Sequence, residues 1–215
     1  MKQLSFDIPR IRRRGRKAKR RTAGVPHRAR PFHDRNHPAH VTWRIVRGIP
    51  SLRKLDLARA VGRTFRAITV SHLRRRTSFR VTHFSIQSNH IHLIVEAGSK
   101  TTLMKSLRGL GIWLARRVNE RLERRGQVLA ERYHARALTT PREVRNAIVY
   151  VLQNHLHHRR SRWIVDECSS ARWFSGWAEP LPPADTPPPV ATARTWLGNN
   201  AWRRYGRIRF DEGPS

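Results

Sequence analysis

Hydrophobic and polar residues follow regular patterns between residues 40 and 158. Alternating apolar and polar positions predict β-strands, because successive side chains of a strand point to opposite sides. Apolar residues that recur every three or four positions predict helices with one buried side. The predicted strands are 40–47, 79–87, 90–95 and, with a weaker pattern, 127–138. The predicted helices begin near residue 51, near residue 103 and at residue 140.

Signals for helix ends delimit these helices further. Ser51 is a suitable N-cap for the first helix, and Gly126 suits the position just after the second. Thr140 and Glu143 have the spacing of a capping box, and Pro141 between them fits the first helical position. The third helix is therefore predicted to begin at Thr140 and to run to about residue 157.

The predicted order of elements is β-α-β-β-α-β-α. Its first six elements match the ferredoxin-like motif, so we expect an α+β fold with an antiparallel sheet, followed by one more helix and flanked by basic tails. Prolines and clustered arginines predict that residues 1–39 are a disordered basic arm. Residues 40–159 are the expected folded domain. Residues 160–215 are predicted to form an extension rich in tryptophan, proline and arginine.

The charge of the chain limits the classes of partner that it is expected to bind. Lysine and arginine number 45 against 14 acidic residues, a formal net charge of +31. Such a charge repels itself, so we expect an anionic partner. Nucleic acid is the first candidate and an anionic membrane surface the alternative. Arg12, Arg13 and Arg14 in the arm, and Arg44 and Arg136 on predicted strands, are the candidate contacts; a merely solvated tail is an equal alternative for the arm.

Cysteine content and hydropathy exclude several structural features. Cys168 is the single cysteine, which excludes an internal disulfide and a cysteine-based zinc site and suggests a reducing compartment such as the cytoplasm. No apolar run approaches the roughly 20 residues that a membrane-spanning helix needs. We therefore expect no segment that spans a membrane, and we expect nucleic acid rather than a membrane as the partner.

Two histidines stand on one predicted strand with a single isoleucine between them. On a strand, His90 and His92 point to the same side and Ile91 to the other, which makes a pair of nitrogen ligands for a divalent metal. A two-residue turn at Ser88-Asn89 places Ser85 opposite His92, Gln87 opposite His90 and His83 opposite Ile94. These polar residues suggest a site on an open sheet face; ordinary packing, or a solvent-facing surface that carries histidines by chance, is the alternative.

The third predicted helix carries a second polar pair. Tyr150 and Asn154 are four residues apart and therefore neighbours on one flank of the helix. His155 lies near the apolar stripe and is expected to be packed. Without the histidines, Tyr150 would be interpreted as a tyrosine filling a groove. Trp113 is expected to be core or partly buried, and the tryptophans after residue 160 are expected to anchor the extension on the core, with stacking on single-stranded nucleic acid as the alternative.

Together these motifs resemble a known family. The strand His90-Ile91-His92 after Ser88-Asn89, and the later helix from Tyr150 to Asn154, are similar to the single-tyrosine HUH transposases, which include insertion-sequence and REP-associated tyrosine transposases. The resemblance covers about residues 40 to 158. One departure is His155, which stands where a common version of the family motif has proline.

The resemblance implies a role for each motif residue. His90 and His92 would bind a divalent metal, Mg²⁺ or Mn²⁺, with Asn154 completing the site, and Tyr150 would be the nucleophile. It implies a DNA strand transferase that leaves a 5′-phosphotyrosine adduct and a free 3′-hydroxyl. The expected partner is single-stranded, hairpin-forming DNA, handled by a monomer or homodimer in the cytoplasm at the nucleoid.

Two other functions fit parts of the sequence. A non-catalytic nucleic-acid-binding protein, such as an inactivated transposase, would show the same charge and fold; only the set of His90, His92, Tyr150 and Asn154 distinguishes the enzyme from it. A small RNA-associated protein with a structural zinc on its histidines is the third possibility, which the single cysteine weakens.

Overall fold

The computed structural model of the 215-residue chain describes residues 33–74, 77–158 and 165–213, without the side chains of residues 73, 74, 157 and 158. Arg12, Arg13 and Arg14 lie outside the described residues, as does most of the predicted arm of residues 1–39. The last residues of that segment pack on the domain: the His33 side chain is buried, and its Nε2 donates to the carbonyl oxygen of Ala97 at 2.8 Å.

The architecture is an α+β fold around one four-stranded antiparallel sheet in the order β2-β3-β1-β4. Its main elements are β1 (Ala39–Arg44), α1 (Leu55–Arg74), β2 (Arg80–Ile86), β3 (His90–Glu96), α2 (Lys100–Arg121), β4 (His134–Ala137) and α3 (Pro141–Gln153). Shorter helical segments are Asn154–His158, Ala171–Trp173, Trp196–Asn199 and Ala201–Tyr205. The predicted ferredoxin-like order and the additional C-terminal helix are confirmed.

One face of the sheet is apolar and packs under α1 and α2. Val41 and Trp43 from β1 and Ile91 and Leu93 from β3 are at most 2% exposed, and their alternation along each strand places them on this side. Helix α1 contributes a stripe of buried side chains that includes Phe65, whose ring centroid lies 4.6 Å from that of Phe84. These contacts form the larger of two hydrophobic cores.

The opposite face is covered by α3 and by residues 165–213. A second core joins Ile94 of β3 to the buried side of α3 and to Trp177 and Trp202 of the extension. The predicted open, polar sheet face was therefore wrong: Ser85 is fully buried and Gln87 and His92 are at most 4% exposed. The polar face needed a cover, because a sheet with apolar residues such as Ile94 on both faces cannot leave either one fully in water.

The extension is joined to the sheet by hydrogen bonds as well as by packing. Along the β2 edge, the backbone nitrogen of Ile86 donates to Cys168 and that of Ser170 donates to Phe84. These bonds satisfy an edge that would otherwise expose unpaired backbone groups. Trp177 and Trp202 are buried, as expected of anchoring residues, whereas Trp196 is 54% exposed.

Several element ends differ from their predictions. Ser51 is not the N-cap, because α1 begins at Leu55 and Ser51 instead forms a turn with Lys54. Gly126 does not end α2, which stops at Arg121; the positive φ of 50° that closes it belongs to Glu123. The fourth strand is reduced to His134–Ala137. Trp113, which was expected to be in the core or partly buried, lies on the surface with 47% of its area exposed.

The third helix begins as predicted. The Thr140 side chain accepts from the backbone nitrogen of Glu143, and the Glu143 carboxylate accepts in return from the backbone nitrogen of Thr140, with Pro141 at the first helical turn. The α-helix ends at Gln153, and the last predicted turn is the 3₁₀ segment Asn154–His158. Among the helices of the described ranges, none has the length and apolar character needed to cross a bilayer.

Candidate active site

The register of the sheet lines up polar residues from all four strands on the face under α3. Directly opposed residues of antiparallel strands point to the same side. One row across the sheet, from β2 to β4, is Ser85, His92, Thr42 and His134. The predicted pairing of Ser85 with His92, and of His83 with Ile94, is confirmed.

Neighbouring rows add further polar groups around His92. His40 lies opposite Ile94 and next to Arg136 of β4, while His90 lies opposite Arg44. His40 and His92 approach closely, with ring centroids 5.3 Å apart. The rings of His90 and His92 are also close, with centroids 4.6 Å apart and nearly perpendicular planes.

The Nδ1 atom of His92 has two polar contacts within the site. It lies 3.1 Å from Thr42 Oγ1 and 3.2 Å from His40 Nε2. If Nδ1 carries the ring proton, it can donate to either partner, and the lone pair then resides on Nε2. That Nε2 atom is buried and has no hydrogen-bond partner among the described residues. A buried nitrogen without a partner is costly, and a metal ion is one group that would satisfy it.

His90 is oriented by its neighbour in the chain. Its Nδ1 lies 2.8 Å from the side-chain oxygen of Asn89, and because an amide oxygen only accepts, this contact makes Nδ1 the protonated nitrogen. A metal ligand whose other ring nitrogen donates to a side-chain oxygen is a common arrangement in proteins. The two histidines therefore fit the nitrogen half of a metal site.

The imidazoles at the centre remain neutral over the physiological range. Burial lowers the pKa of His92 to about 3, with His40 and His90 adding repulsion. Burial likewise lowers the pKa of His40 to about 4, with smaller effects from Arg136 and His134. Only the neutral ring has a lone pair to offer a metal. Burial therefore keeps His92 in the form that can bind a metal ion.

Tyr150 is brought to the histidines by α3. Its ring lies edge-on to His92 with centroids 5.0 Å apart, and 5.7 Å from the ring of His40. Buried Val144, Ile148 and Val151 hold the helix against the sheet, which leaves Tyr150 on the flank that faces the histidines. No described residue holds its hydroxyl in a hydrogen bond, so the hydroxyl remains available to a ligand.

Asn154 lies one turn beyond Tyr150, at the start of the 3₁₀ segment. Its side chain is 4% exposed, but it makes no hydrogen bond to His90 or His92 within the described part of the chain. In those same residues, no three histidine, cysteine, aspartate or glutamate side chains converge as a metal cage. The ring contacts thus bring together His90, His92 and Tyr150, and the role of Asn154 stays a prediction. As expected, His155 is packed.

The predicted arginine contacts lie at the margins of the site. Arg44 is exposed beside His90, and Arg136 is exposed beside His40. A nitrogen of Arg136 lies 3.1 Å from the carboxylate of Glu143 at the start of α3, so part of its charge is already neutralised. Arg44 is the better placed of the two to contact an anionic ligand of the histidines.

Two contacts of His92 were absent from the predicted site residues: His40 and Thr42. The alternation in β1 did indicate that His40, Thr42 and Arg44 share one side of the strand. Their position beside His92 depends on the pairing of β1 with β3, which joins residues 50 or more apart. No local pattern specifies such a pairing.

Solved structures that are similar to the chain include the following two. One is the structure of a REP-associated tyrosine transposase bound to a REP hairpin, with a TM-score of 0.45 and 13% identity over 62% of this chain and 74% of that chain. The other is the crystal structure of a "putative transposase" from Deinococcus radiodurans R1, with a TM-score of 0.39 and 15% identity over 62% of this chain and 98% of that chain. Both are described as transposases. No family model and no curated protein matches the chain, and similarity of this extent assigns no role to its residues.

Proposed function

We propose that this protein is a metal-dependent transposase or nuclease that cleaves and rejoins single-stranded DNA through a 5′-phosphotyrosine intermediate. The observation that carries the proposal is the position of Tyr150, whose ring lies 5.0 Å from His92 on the polar face of the sheet. A tyrosine beside a buried imidazole with an unpartnered nitrogen is a pairing that packing alone does not require.

His90 and His92 would hold the metal through their Nε2 atoms, with Asn154 as the third ligand that the family resemblance implies. Bound there, a divalent ion such as Mg²⁺ or Mn²⁺ would act as a Lewis acid on the scissile phosphate. Thr42 and His40 keep the His92 ring in place through Nδ1. Asn89 does the same for His90.

Tyr150 supplies the nucleophile. Its hydroxyl oxygen attacks the phosphorus and loses its proton to solvent, while the bond from phosphorus to the 3′-oxygen breaks and that oxygen takes up a proton. The products are a 5′-phosphotyrosine and a free 3′-hydroxyl, and attack by a second 3′-hydroxyl reverses the step. The energy of the phosphodiester bond is kept in the covalent intermediate, so rejoining needs no nucleotide triphosphate.

The substrate is inferred from charge and from the family resemblance. A net charge of +31 favours a polyanion, and Arg44 beside His90 is placed to contact a phosphate near the metal. We infer single-stranded DNA with hairpin-forming segments, handled in the cytoplasm at the nucleoid. Tyr150 stands over the histidines of its own chain, so cleavage in cis requires no second subunit.

Incubation of the protein with labelled, hairpin-forming single strands and Mn²⁺ or Mg²⁺ tests this proposal. The wild type is expected to form an adduct that survives denaturing electrophoresis and disappears when EDTA is added first. Tyr150→Phe is expected to form none while still binding DNA. Tyr205→Phe is the matched control, because Tyr205 is a 51% exposed tyrosine of the extension. An adduct formed equally by Tyr150→Phe would remove this residue from the mechanism.

A second candidate is a nucleic-acid-binding protein without catalysis. It is favoured by the net charge of +31, which nucleic-acid binding explains without catalysis. This candidate predicts tight DNA binding with no adduct in the wild type, across several hairpins and with either metal. The same assay therefore separates the two functions.

A further inference from the structure

Helix α1 carries a row of arginines on the side that faces away from the core. Arg59, Arg63 and Arg66 are four and three residues apart, so they lie on one side of the helix and span about 10 Å along it. All three are exposed. None of them forms an ion pair with a carboxylate in the described ranges, in contrast to Arg53 on the same side of the molecule, which is paired with Asp166 at 2.8 Å.

These arginines form one wall of a groove of about 530 Å³ between α1 and the extension. The opposite wall is Trp173 with Thr186, Pro187 and Pro189. We call this the arginine groove. Glu167 is the one carboxylate among its lining residues, so three unpaired arginines face a single exposed acid.

The far wall of the arginine groove is fixed in place. Trp173 donates its indole nitrogen to the carbonyl oxygen of Thr186 at 2.8 Å. Thr69 of α1 donates its hydroxyl to the carbonyl oxygen of Pro189 at 2.9 Å, which ties the proline segment to the helix. An aromatic ring held in this way loses little conformational freedom when a planar group stacks on it.

The arginine groove is separate from the candidate active site. It follows the β2 edge on the side of α1, which packs on the apolar face of the sheet, whereas Tyr150 lies on the polar face. A strand bound in the groove is therefore not the segment positioned for cleavage at Tyr150.

We infer that the arginine groove binds single-stranded DNA, with phosphates on the α1 arginines and bases stacked against Trp173. Arginine rows combined with an aromatic wall are typical of single-strand binding, because charge follows the backbone and the ring accepts any base. A duplex would contact the arginines but would not present unpaired bases to Trp173. The inference adds a second binding surface to the proposed function and depends on that function only for the choice of DNA.

Binding is measured by fluorescence anisotropy with a labelled single strand that has no self-complementarity, over a range of salt concentrations. Every protein carries Tyr150→Phe, so no covalent adduct contributes. The triple variant Arg59→Gln, Arg63→Gln, Arg66→Gln is expected to lower the slope of log K against log salt by about 2, since each single-strand phosphate contact contributes about 0.7. At 0.1 M salt the same loss weakens binding roughly a hundredfold.

The matched control removes the same charge from another surface through Arg108→Gln, Arg116→Gln and Arg132→Gln, which are likewise exposed. It is expected to change the slope by less than about 1. Trp173→Leu is expected to weaken binding roughly tenfold with an unchanged slope, because stacking does not depend on salt in this way. Circular dichroism melting verifies that each variant remains folded.

Equal slopes for the two triple variants would overturn the inference, since the arginine groove would then contribute only its share of the total charge. Displacement of the DNA by an acidic peptide at equal charge concentration would also overturn it, and would assign the groove to acidic proteins. Because no measurement here requires cleavage, a wild type that forms no adduct would contradict the proposed chemistry and leave the groove result standing.

Discussion

Both faces of the sheet are buried, but one is lined by apolar side chains and the other by polar ones. On the face under α1 and α2, Val41, Ile91 and Leu93 are fully buried among other apolar side chains. On the face under α3, His92 is 4% exposed and makes polar contacts with Thr42 and His40. The first face can be filled by any apolar side chains of suitable volume. The second works only with particular polar groups at particular distances.

This difference separates stability from candidate function. Burying apolar surface stabilises the fold by about 25 cal/mol per Å². A buried nitrogen without a partner, such as His92 Nε2, costs about 1–3 kcal/mol. The polar face therefore reduces stability in order to hold its imidazoles neutral and oriented. Substitutions on the two faces should separate these effects.

The largest stability loss is expected on the apolar face. Phe65→Ala removes a fully buried ring that packs on Phe84 and should lower the free energy of unfolding by about 3–5 kcal/mol. Urea unfolding measures this loss. Val70→Ala, at a 40% exposed position of the same helix, should change it by less than about 0.5 kcal/mol. The folded Phe65→Ala protein should retain the Mn²⁺ affinity of the wild type; a weakened affinity would mean that the two faces are coupled.

A somewhat smaller loss is expected at Glu96, where the polar face meets the extension. Its carboxylate, 1% exposed, lies 3.1 Å from a nitrogen of Arg80 and accepts from the backbone nitrogens of Arg194 and Thr195. Glu96→Gln leaves Arg80 without a counter-charge. It also places the amide NH₂ group of glutamine, a donor, against the N–H donors of Arg80, Arg194 and Thr195. We therefore expect the free energy of unfolding to fall by about 3 kcal/mol.

Hydrogen exchange should show faster exchange at the amides of Arg194 and Thr195 in Glu96→Gln. The control is Glu120→Gln, which breaks a surface pair with Arg117 and should cost less than about 1 kcal/mol. Unchanged exchange in Glu96→Gln would show that packing alone holds the extension.

The pH dependence of stability should respond to His83. Burial lowers the pKa of His83 to about 4, against 6.5 for the unperturbed group. Between these values the unfolded chain binds more protons at this residue than the folded protein, so stability is complete above about pH 6.5 and falls as the pH decreases toward 4.

His83→Gln should remove on the order of 2 kcal/mol from the stability difference between neutral pH and pH 4, a figure reduced from the full shift because the side chain is only partly buried. Urea unfolding at a series of pH values measures this. A variant with the wild-type dependence would assign the effect to His40 and His92, whose pKa values are also lowered by burial.

The smallest expected effect is a change in metal affinity at the polar face, measured separately from stability. Thr42→Val keeps the shape of the side chain but removes the hydroxyl that contacts His92 Nδ1 at 3.1 Å. We expect Mn²⁺ binding, measured by calorimetry, to weaken about tenfold, since a group that orients a ligand typically contributes 10- to 100-fold and His40 remains in contact. Thr82→Val is the matched control, because Thr82 donates to the carbonyl oxygen of Ile94 and does not touch His92. Equal affinities for the two variants would contradict a role for Thr42 in the metal site.

Local features of this chain could be predicted from its sequence. The capping box at Thr140 and the hairpin register that pairs Ser85 with His92 were correct, because each depends on residues close together in the chain. The predicted helix ends at Ser51 and Gly126 were wrong, although they too were predicted from residues close together in the chain. Both residues stand in segments that are held by hydrogen bonds to distant parts of the chain: the backbone nitrogen of Leu52 donates to Ser88, and that of Val46 donates to Val128, two residues after Gly126.

The sequence by itself determined the order of strands and helices and the pairing of His90 and His92 on one side of a strand, since periodicity and turn chemistry act over a few residues. Only the tertiary structure decided what surrounds them. His40 and Thr42 reach His92 through a strand pairing between distant segments, and the extension buries a face that the hairpin alone would leave in water. Such contacts form because they bury and satisfy groups from the whole chain at once, which no local pattern can record.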